Sequence, residues 1–312
     1  MRRLIIDTDP GVDDAFAIAL AARHPDVDLL ALTTVAGNIG IEHTTRNALN
    51  LLALCGRADV PVAKGAHRPL SRAVRSDDAH GSDGLGGYAS SFGMSSASVD
   101  PRDAVTLLMD LLTAAKEPVT IVPIGPLTNI ALLLAAHPGI KSKIDRLVVM
   151  GGGIHGGNVT PSAEFNVWAD PEAARRVLTE EDIPVTLVPL DITMRVAVGD
   201  EWLAKLAEAN AVGRELVAMT PVYRAFYKND TGKDDLIIHD AIAVAEAIRP
   251  GILRTTPMVL DVDCTDGPGS GATIADLRNK IDPPRGRVVD VALDADVDEL
   301  RSYILDELSS RY

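Results

Sequence analysis

The sequence has few cysteines and no long apolar segment. Cys55 and Cys264 are far apart and lack the spacing of metal ligands. We therefore expect no disulfide and two ordinary core thiols, as in an intracellular protein. Only three apolar residues separate the N-terminal arginines from Asp7, too few for a signal peptide. Since no apolar run approaches the ~20 residues of a membrane span, we expect a cytoplasmic protein with no membrane partner.

Basic residues are also scarce. The chain has 30 basic and 44 acidic residues, giving a net charge of −14. This charge disfavours nucleic acid and anionic membranes as partners and suits a small neutral substrate or a cation. With 46% hydrophobic residues, the chain can bury one large α/β core or two small ones. Because there is no Pro/Gly/Ser-rich linker and no internal repeat, we expect a single domain over residues 1–312.

Short β-rich apolar runs alternate with helical periods along the first two thirds of the chain. The predicted strands are Leu4–Asp7, Val27–Val35, Val60–Ala63, Val119–Ile124, Arg146–Gly151 and Val185–Pro189. The predicted helices are Asp13–Arg23, Ile41–Cys55, Arg102–Lys116, Pro126–Ala136 and Pro171–Thr179. Strands separated by helices imply crossover connections, so the pattern predicts an α/β fold with a mostly parallel sheet.

The last third changes character. It is predicted to contain the helices Asp200–Ala209, Val212–Lys228, His239–Ile248 and Val297–Leu308, and the strands Met258–Asp263, Gly271–Leu277 and Val288–Leu293. The longest predicted loop, Ser76–Ser98, is rich in Gly and Ser, and loops of this length are usually functional or mobile.

Four carboxylates follow the first strand within eight residues: Asp7, Asp9, Asp13 and Asp14. Carboxylates this close repel one another, so a cation or a network of sugar hydroxyls is expected to offset the repulsion. An acid that caps a helix explains one such residue, but not Asp7 and Asp9 as well. The segment therefore indicates an active site.

Other polar segments also follow predicted strands. They are Ala36-Gly37-Asn38, Gly125–Asn129 and Gly151–Gly153, the last followed by Asn158, Glu164 and Asn166. Each has an ordinary explanation as a turn or a solvated loop when taken alone. The carboxyl ends of parallel strands share one rim, where ligands bind in open α/β sheets. His239-Asp240 opens a helix whose N-terminus favours an ionised Asp240, and can complete that rim.

Together these segments resemble the nucleoside hydrolase family of the inosine-uridine-preferring type. The matching text is Asp7-Thr8-Asp9-Pro10-Gly11-Val12-Asp13-Asp14, Val35-Ala36-Gly37-Asn38, His80-Gly81 with Gly84-Leu85-Gly86-Gly87, Gly125-Pro126-Leu127-Thr128-Asn129, Met150-Gly151-Gly152, Pro161-Ser162-Ala163-Glu164-Phe165-Asn166, Ala169-Asp170-Pro171-Glu172-Ala173-Ala174 and His239-Asp240-Ala241. The resemblance extends from about Leu4 to beyond Ala241. It implies a Rossmann-like sheet flanked by helices and a homo-oligomer, either dimer or tetramer.

The resemblance also implies an activity and a set of roles. The activity is hydrolysis of the N-glycosidic bond of ribonucleosides, uridine or inosine being expected, to ribose and free base. Ca²⁺ is held by Asp9, Asp14, Asp240 and the backbone carbonyl of Ile124, and Asp9 is the general base. Such donors suit calcium, which takes six to eight oxygen ligands. The ribose hydroxyls are implied to bind Asp13, Asn38, Asn158, Glu164, Asn166 and Asp240.

Residues that contact the leaving base are less defined by the sequence. His239 is the candidate general acid, since an imidazole ordinarily titrates near neutral pH. Tyr223 and Tyr227 share a helix face and are interpreted as a lid over the base, whereas Phe226 is expected to pack in the core. His80 is a second candidate contact to the base, so the choice of the main acid stays open. The charged segment after this helix, Gly232–Leu236, departs from relatives that have glycines there.

Two other functions fit part of the pattern. A haloacid-dehalogenase-like phosphatase also begins with Asp-x-Asp after its first strand, and Thr33 or Thr34 with Asp234-Asp235 would supply its other motifs. However, Pro10-Gly11 follows the first motif, and the acidic pair lies in a polar segment. A nucleoside-binding or sensing protein without activity is the second alternative, because fold alone does not exclude it.

Overall fold

One large sheet forms the centre of the molecule. The computed structural model describes residues 1–76, 78–91, 95–278 and 286–310. The strands are β1 (Arg2–Thr8), β2 (Val27–Thr34), β3 (Val62–Lys64), β4 (Val119–Pro123), β5 (Ile144–Met150), β6 (Val185–Val188), β7 (Ala197–Val198), β8 (Leu236–Ile237), β9 (Leu253–Val262), β10 (Thr273–Ala275) and β11 (Arg287–Ala295). Within the described residues, nine strands form the sheet in the order β10-β9-β11-β6-β5-β4-β1-β2-β3, and β7 pairs with β8.

The sheet is mostly parallel, as predicted. Neighbouring strands are parallel along the series β3-β2-β1-β4-β5-β6-β11. β9 pairs antiparallel with both β11 and β10. The carboxyl ends of β1, β2, β4, β5 and β6 therefore meet at one edge, where ligands bind in such sheets.

Helices cover both faces of the sheet. They are α1 (Val12–Arg23), α2 (Ile41–Leu54), α3 (Ala104–Ala114), α4 (Thr128–Ala136), α5 (Phe165–Ala169), α6 (Pro171–Arg175), α7 (Leu190–Thr193), α8 (Asp200–Ala209), α9 (Ala211–Ala218), α10 (Thr220–Thr231), α11 (His239–Ile248) and α12 (Val297–Ser309). Side chains alternate across β1: Leu4 and Ile6 join a core with α1 and α11, and Ile5 joins a core with α3 and α4. In the part of the chain that the structure describes, no helix has the length and apolarity to cross a membrane.

The structure corrects several predicted elements. The helix predicted over Val212–Lys228 is two helices, α9 and α10, separated at Met219. Pro221 explains the break, since proline has no backbone N–H and suits only the first turn of a helix. The short helices α5 and α7 were not predicted, because four or five residues contain too little periodicity to recognise. Of the predicted loop Ser76–Ser98, residues 77 and 92–94 lie outside the described residues.

Candidate active site

A polar pocket lies at the carboxyl edge of the parallel strands. It is lined by Asp13, Asn38, Ala79, His80, Ile124, Met150, Asn158, Glu164, Phe165, Asn166, Tyr223, Tyr227, His239 and Asp240. Every residue predicted to bind substrate is in this set. Ala79, Met150 and Phe165 were not predicted as site residues, because apolar wall residues have no sequence signal that separates them from the core.

Three carboxylates meet at the base of the pocket. Asp13, Asp14 and Asp240 each place an oxygen within 4.8 Å of the others, and all three are buried. Burial, and next the negative charge of neighbouring carboxylates, raise the pKa of Asp13 and Asp240 well above the usual range. A buried, mutually repelling group of oxygen donors is a chemically suitable place for a hard cation. Asp14 and Asp240 were predicted metal ligands, and Asp13 joins them.

Asp9 lies beside this cluster. Its Oδ2 accepts a hydrogen bond from the backbone N–H of Asn38 at 2.7 Å. Its Oδ1 is buried and has no hydrogen-bond partner among the described residues. Burial and the charges of Asp14 and Asp13 raise the pKa of Asp9 well above its usual range. A buried carboxylate oxygen without a partner is expensive, so this oxygen is suited to a ligand or a water.

Two glycines allow this position of Asp9. A Cβ on Gly37 would lie 2.0 Å from Asp9 Oδ2, and one on Gly125 would lie 2.4 Å from Asp9 Oδ1. Both distances are far below van der Waals contact, so only glycine leaves room for the carboxylate. These two glycines follow β2 and β4, which flank β1 in the sheet.

Ile124, whose backbone carbonyl the resemblance implied as a calcium ligand, lines the pocket. That carbonyl accepts a hydrogen bond from the side-chain amide of Asn166 at 3.0 Å, and that amide also donates to the Met150 carbonyl at 3.2 Å. A carbonyl oxygen has two lone pairs, so this contact leaves one for another partner. The Asn166 amide thus joins the ends of β4 and β5.

Glu164 has a structural role in addition to its place in the pocket. Its carboxylate caps the N-terminus of α5 and accepts hydrogen bonds from the backbone N–H groups of Gly152, Asn166 and Val167 at 2.8, 2.8 and 3.1 Å. These donors fix the carboxylate against the pocket wall. The side-chain oxygen of Asn158 similarly accepts from the Phe165 N–H at 3.0 Å, which leaves the amide donors of Asn158 for the pocket.

Aromatic and imidazole rings form the opposite wall. The two ring nitrogens of His239 contact Thr193 Oγ1 at 2.7 Å and the Tyr227 hydroxyl at 2.9 Å. Tyr223 packs against both Tyr227 and His80, with ring centroids 4.9 and 4.8 Å away. Thr193, on α7, was missed because a lone threonine in an unpredicted helix has no signal in the sequence.

The ordinary imidazole pKa expected for His239 is wrong for this pocket. Burial lowers the pKa of His239 to about 3, and burial with the charge of His239 lowers that of His80 to about 3. Both rings are therefore neutral near pH 7. His80 Nδ1 accepts the backbone N–H of Val12 at 3.0 Å, so its proton is on Nε2.

The expected core packing of Phe226 is also wrong. Phe226 is 41% exposed, whereas Tyr223 and Tyr227 on the same helix are 1% and 6% exposed. Tyr223 and Tyr227 are four residues apart and so share a helix face, whereas Phe226, which directly precedes Tyr227, lies on another face. α10 therefore presents its tyrosines to the pocket and Phe226 to solvent.

The residues that would make a phosphatase are not in the pocket. Thr33 Oγ1 donates to Asp7 Oδ1 at 2.5 Å below the site. Asp234 is exposed and pairs with Lys228 at 3.0 Å. Neither Asp234 nor Asp235 lines the pocket, so they do not supply the acidic pair that the phosphatase alternative assigned to them.

Comparison with known proteins gives one consistent result. A sequence model described as inosine-uridine preferring nucleoside hydrolase matches residues 4–302. The chain is 41% identical over 307 residues to the non-specific ribonucleoside hydrolase RihC of Escherichia coli (strain SMS-3-5 / SECEC), covering 98% of each chain.

Two solved structures are similar over nearly their whole length. A plant nucleoside hydrolase, the PpNRh1 enzyme, superposes with a TM-score of 0.92 at 30% identity, covering 99% of both chains. A purine-preferring ribonucleoside hydrolase from Gardnerella vaginalis gives 0.90 at 31% identity, covering 99% of this chain and 98% of that one. The chain belongs to the inosine-uridine preferring nucleoside hydrolase family, whose members are N-glycosidases that hydrolyse ribonucleosides to ribose and free base.

Proposed function

We propose that this pocket hydrolyses the N-glycosidic bond of ribonucleosides with the help of Ca²⁺. Asp9, Asp14 and Asp240 and the Ile124 carbonyl would hold the ion, with Asp13 next to them. The observation that carries this proposal is the buried group of carboxylates at a polar pocket lined by amide and carboxylate side chains. Its donors are all oxygens, which favours a hard cation over zinc or copper. Bound there, the ion would supply a positive charge that acidifies water and binds two ribose hydroxyls.

Asp9 is the proposed general base. Its Oδ1 is buried and has no hydrogen-bond donor among the described residues, and burial raises the pKa of the carboxyl group. A base is most efficient when its pKa lies near the working pH, so a raised pKa suits a carboxylate for this role. The backbone N–H of Asn38 holds the other oxygen in place.

The amide and carboxylate wall is proposed to bind the ribose. Asp13, Asn38, Asn158, Glu164 and Asn166 line this side of the pocket. Side-chain amides both donate and accept, as hydroxyl groups require. The acids also offset the positive charge that develops on the sugar ring in an oxocarbenium-like transition state. A 2′-deoxyribonucleoside should be a poor substrate, since its loss of one hydroxyl leaves buried polar groups unpaired.

The ring wall is proposed to stabilise the leaving base. His239 remains the main candidate, with Tyr227 bonded to one nitrogen and Thr193 to the other. Because the His239 imidazole is neutral, we propose that it assists the leaving base through the hydrogen-bonded series Tyr227–His239–Thr193 and not as a pre-formed imidazolium. His80 offers a second contact through its Nε2–H.

The base range is proposed to include uridine and inosine. One relative is named non-specific and another purine-preferring, and the matching family is described as inosine-uridine preferring. The rings of His80, Tyr223, Tyr227 and His239 form the pocket wall on the base side, and such a wall suits more than one base. We further propose that the protein is a homo-oligomer and acts in nucleoside salvage. We place it in the cytoplasm, since its two cysteines are free, as is usual in a reducing compartment.

The test is release of free ribose from a panel of ribonucleosides, with calcium and after chelation. An aryl phosphate serves as the control substrate. Ribose release that stops on chelation and returns with calcium supports the proposal. Ribose release that chelation leaves unchanged contradicts the role of the ion. Tight nucleoside binding without turnover would instead indicate a binding protein, and phosphate release without ribose would indicate a phosphatase.

A further inference from the structure

A histidine–aspartate pair lies at the rim next to the pocket, outside the residues used so far. Asp191 is on α7, and His155 is in the loop that follows β5. The Asp191 carboxylate accepts hydrogen bonds from the backbone N–H groups of Ile154 and His155 at 2.7 and 3.2 Å. His155 Nδ1 lies 2.5 Å from the same carboxylate, and the His155 side chain is 71% exposed. The imidazole is therefore held by one nitrogen, and the other is left open.

This pair borders a cavity of its own. The cavity has a volume of about 210 Å³ and is lined by the pair, two glycines of the loop, and Asn158, Leu190 and Met194. Asn158 also lines the main pocket, so the two spaces share a wall. We call this second space the annex. Its loop packs closely against Ala163: a Cβ on Gly157 would lie 2.2 Å from the Ala163 carbonyl oxygen, and the Asn158 N–H donates to that oxygen at 3.1 Å.

The shared wall indicates which part of a substrate reaches the annex. Asn158 stands on the amide and carboxylate side of the main pocket, where the proposed function places ribose. In that arrangement the 2′- and 3′-hydroxyls point to the carboxylate group and the base points to the ring wall. The substituent on C5′ is the part of a nucleoside that remains free to leave the ribose in another direction.

We propose that the annex is a subsite for ribonucleosides that are extended at C5′ by a group ending in a hydrogen-bond donor. This inference rests on the proposed function. Nδ1 of His155 donates to the Asp191 carboxylate, which leaves Nε2 as the nitrogen that meets an O–H or N–H on the substituent. Leu190 and Met194 offer apolar contact to the linking atoms. The Asp191 carboxylate disfavours an anionic substituent such as a 5′-phosphate.

The test compares substrates that share one base. They are the parent nucleoside that the enzyme cleaves fastest, its 5′-deoxy-5′-(2-hydroxyethylthio) and 5′-deoxy-5′-methylthio derivatives, and its 5′-monophosphate. We expect kcat/KM for the hydroxyethylthio substrate to lie within tenfold of the parent, and that for the monophosphate to lie at least a hundredfold below it. His155→Ala should lower kcat/KM about tenfold for the hydroxyethylthio substrate alone, the size expected for one neutral hydrogen bond.

Two further variants make the result specific. Met194→Trp narrows the annex and should lower kcat/KM at least tenfold for both thioether substrates while leaving the parent within twofold. His43→Ala removes an exposed histidine on α2 and should change none of the four. His155 is an exposed loop residue, so its variant tests the proposal even where Met194→Trp does not fold, as thermal melting would show.

The outcomes separate this inference from the function on which it rests. If wild-type enzyme cleaves the parent and rejects the hydroxyethylthio substrate, the annex proposal is wrong and the proposed function stands. An equal effect of His155→Ala on all substrates also overturns it. If no parent nucleoside is cleaved at all, both the proposed function and the annex proposal fail.

Discussion

At the scale of single residues, the carboxylate of Asp9 shows how neighbours prepare a group for chemistry. Gly37 and Gly125 leave space on both sides of it, and the Asn38 N–H engages one oxygen while the other stays without a partner in the described residues. A buried carboxylate oxygen without a partner is costly for folding and useful for a base. Replacing the Asp9 carboxylate should therefore lower activity without lowering the stability of the folded state.

Asp9→Asn should lower kcat roughly 10²–10⁴-fold, the usual contribution of a general base. The folded state should not lose stability, because the change removes one of several buried like charges. Ribose release and thermal melting measure the two effects. Asp145→Asn is the matched control, because Asp145 lies at the N-terminal end of β5, away from the carboxyl edge. It should leave both kcat and thermal stability unchanged. Near-normal turnover by Asp9→Asn would rule out the proposed base.

Thr193 is expected to act through His239, as a positioning residue. Thr193→Val removes the hydroxyl next to His239 while keeping the shape of the side chain. Turnover of a natural nucleoside should fall about tenfold, and turnover of an activated aryl riboside should fall less because its leaving group needs less help. Thr193→Ser should restore activity. Equal slowing of both substrates would show that Thr193 does not assist departure of the base.

Cys55 should be an unreactive thiol in the native protein. Burial raises its pKa from 9.0 to about 12, partly opposed by Arg23 and Arg57, so the thiolate fraction falls about a thousandfold at a given pH below both values. Since the thiolate is the reactive form, alkylation by iodoacetamide at pH 8 should be far slower in native than in urea-unfolded protein. Mass spectrometry measures the labelling, and similar rates in the two states would contradict the prediction.

At the scale of elements, short segments at the carboxyl edge connect the strands to the site. α5 is capped by Glu164, and α7 supplies Thr193, which contacts His239, and Asp191, which borders the annex. α10 turns Tyr223 and Tyr227 inward. These helices contain from four to twelve residues. Their side chains reach the site because the ends of the strands fix where each helix begins.

Glu164 and Asp103 allow structural and functional roles to be separated. Both cap a helix, Glu164 that of α5 and Asp103 that of α3, where it accepts the Thr106 N–H at 2.8 Å. Glu164→Ala and Asp103→Ala should each lower the free energy of unfolding by about 1 kcal/mol. Only Glu164→Ala should also lower kcat/KM, by roughly 10–100-fold, since it removes a carboxylate that we propose as a hydrogen-bond partner of the ribose. Equal kinetics in the two variants would mean that Glu164 only caps α5.

At the scale of the whole molecule, the buried carboxylate group connects metal binding to stability. The four carboxylates are Asp9, which directly follows β1, Asp13 and Asp14 on α1, and Asp240 on α11, and their burial keeps like charges together. A cation that binds only the folded protein adds stability that grows with the logarithm of its concentration over its Kd, about 2.7 kcal/mol at a hundredfold excess.

Addition of calcium to chelator-treated protein should therefore raise Tm by about 5 °C, because ~1 kcal/mol shifts Tm by roughly 2 °C in a protein of this size. Differential scanning calorimetry measures the shift. Asp240→Asn should abolish most of it, whereas Asp145→Asn should retain it. A calcium response that survives in Asp240→Asn would place the ion elsewhere.

Much of this was predictable because it depends on local pattern. Alternating strands and helices predicted the parallel sheet, and polar residues after the strands predicted the rim on which Asn38, Asn158 and Asn166 meet. The predictions failed where distant residues decide, as in the break before Pro221, the exposure of Phe226 and the contact between Thr193 and His239.

The sequence by itself determined the family, the sheet and the chemical types of the site residues, because the motifs and their positions after strands are local properties of the chain. Only the tertiary structure decided that Asp13 joins Asp14 and Asp240, that Glu164 is held by backbone donors, and that His239 is neutral. The physical reason is that distances between remote segments and the degree of burial set these properties, and both arise only when the chain has packed.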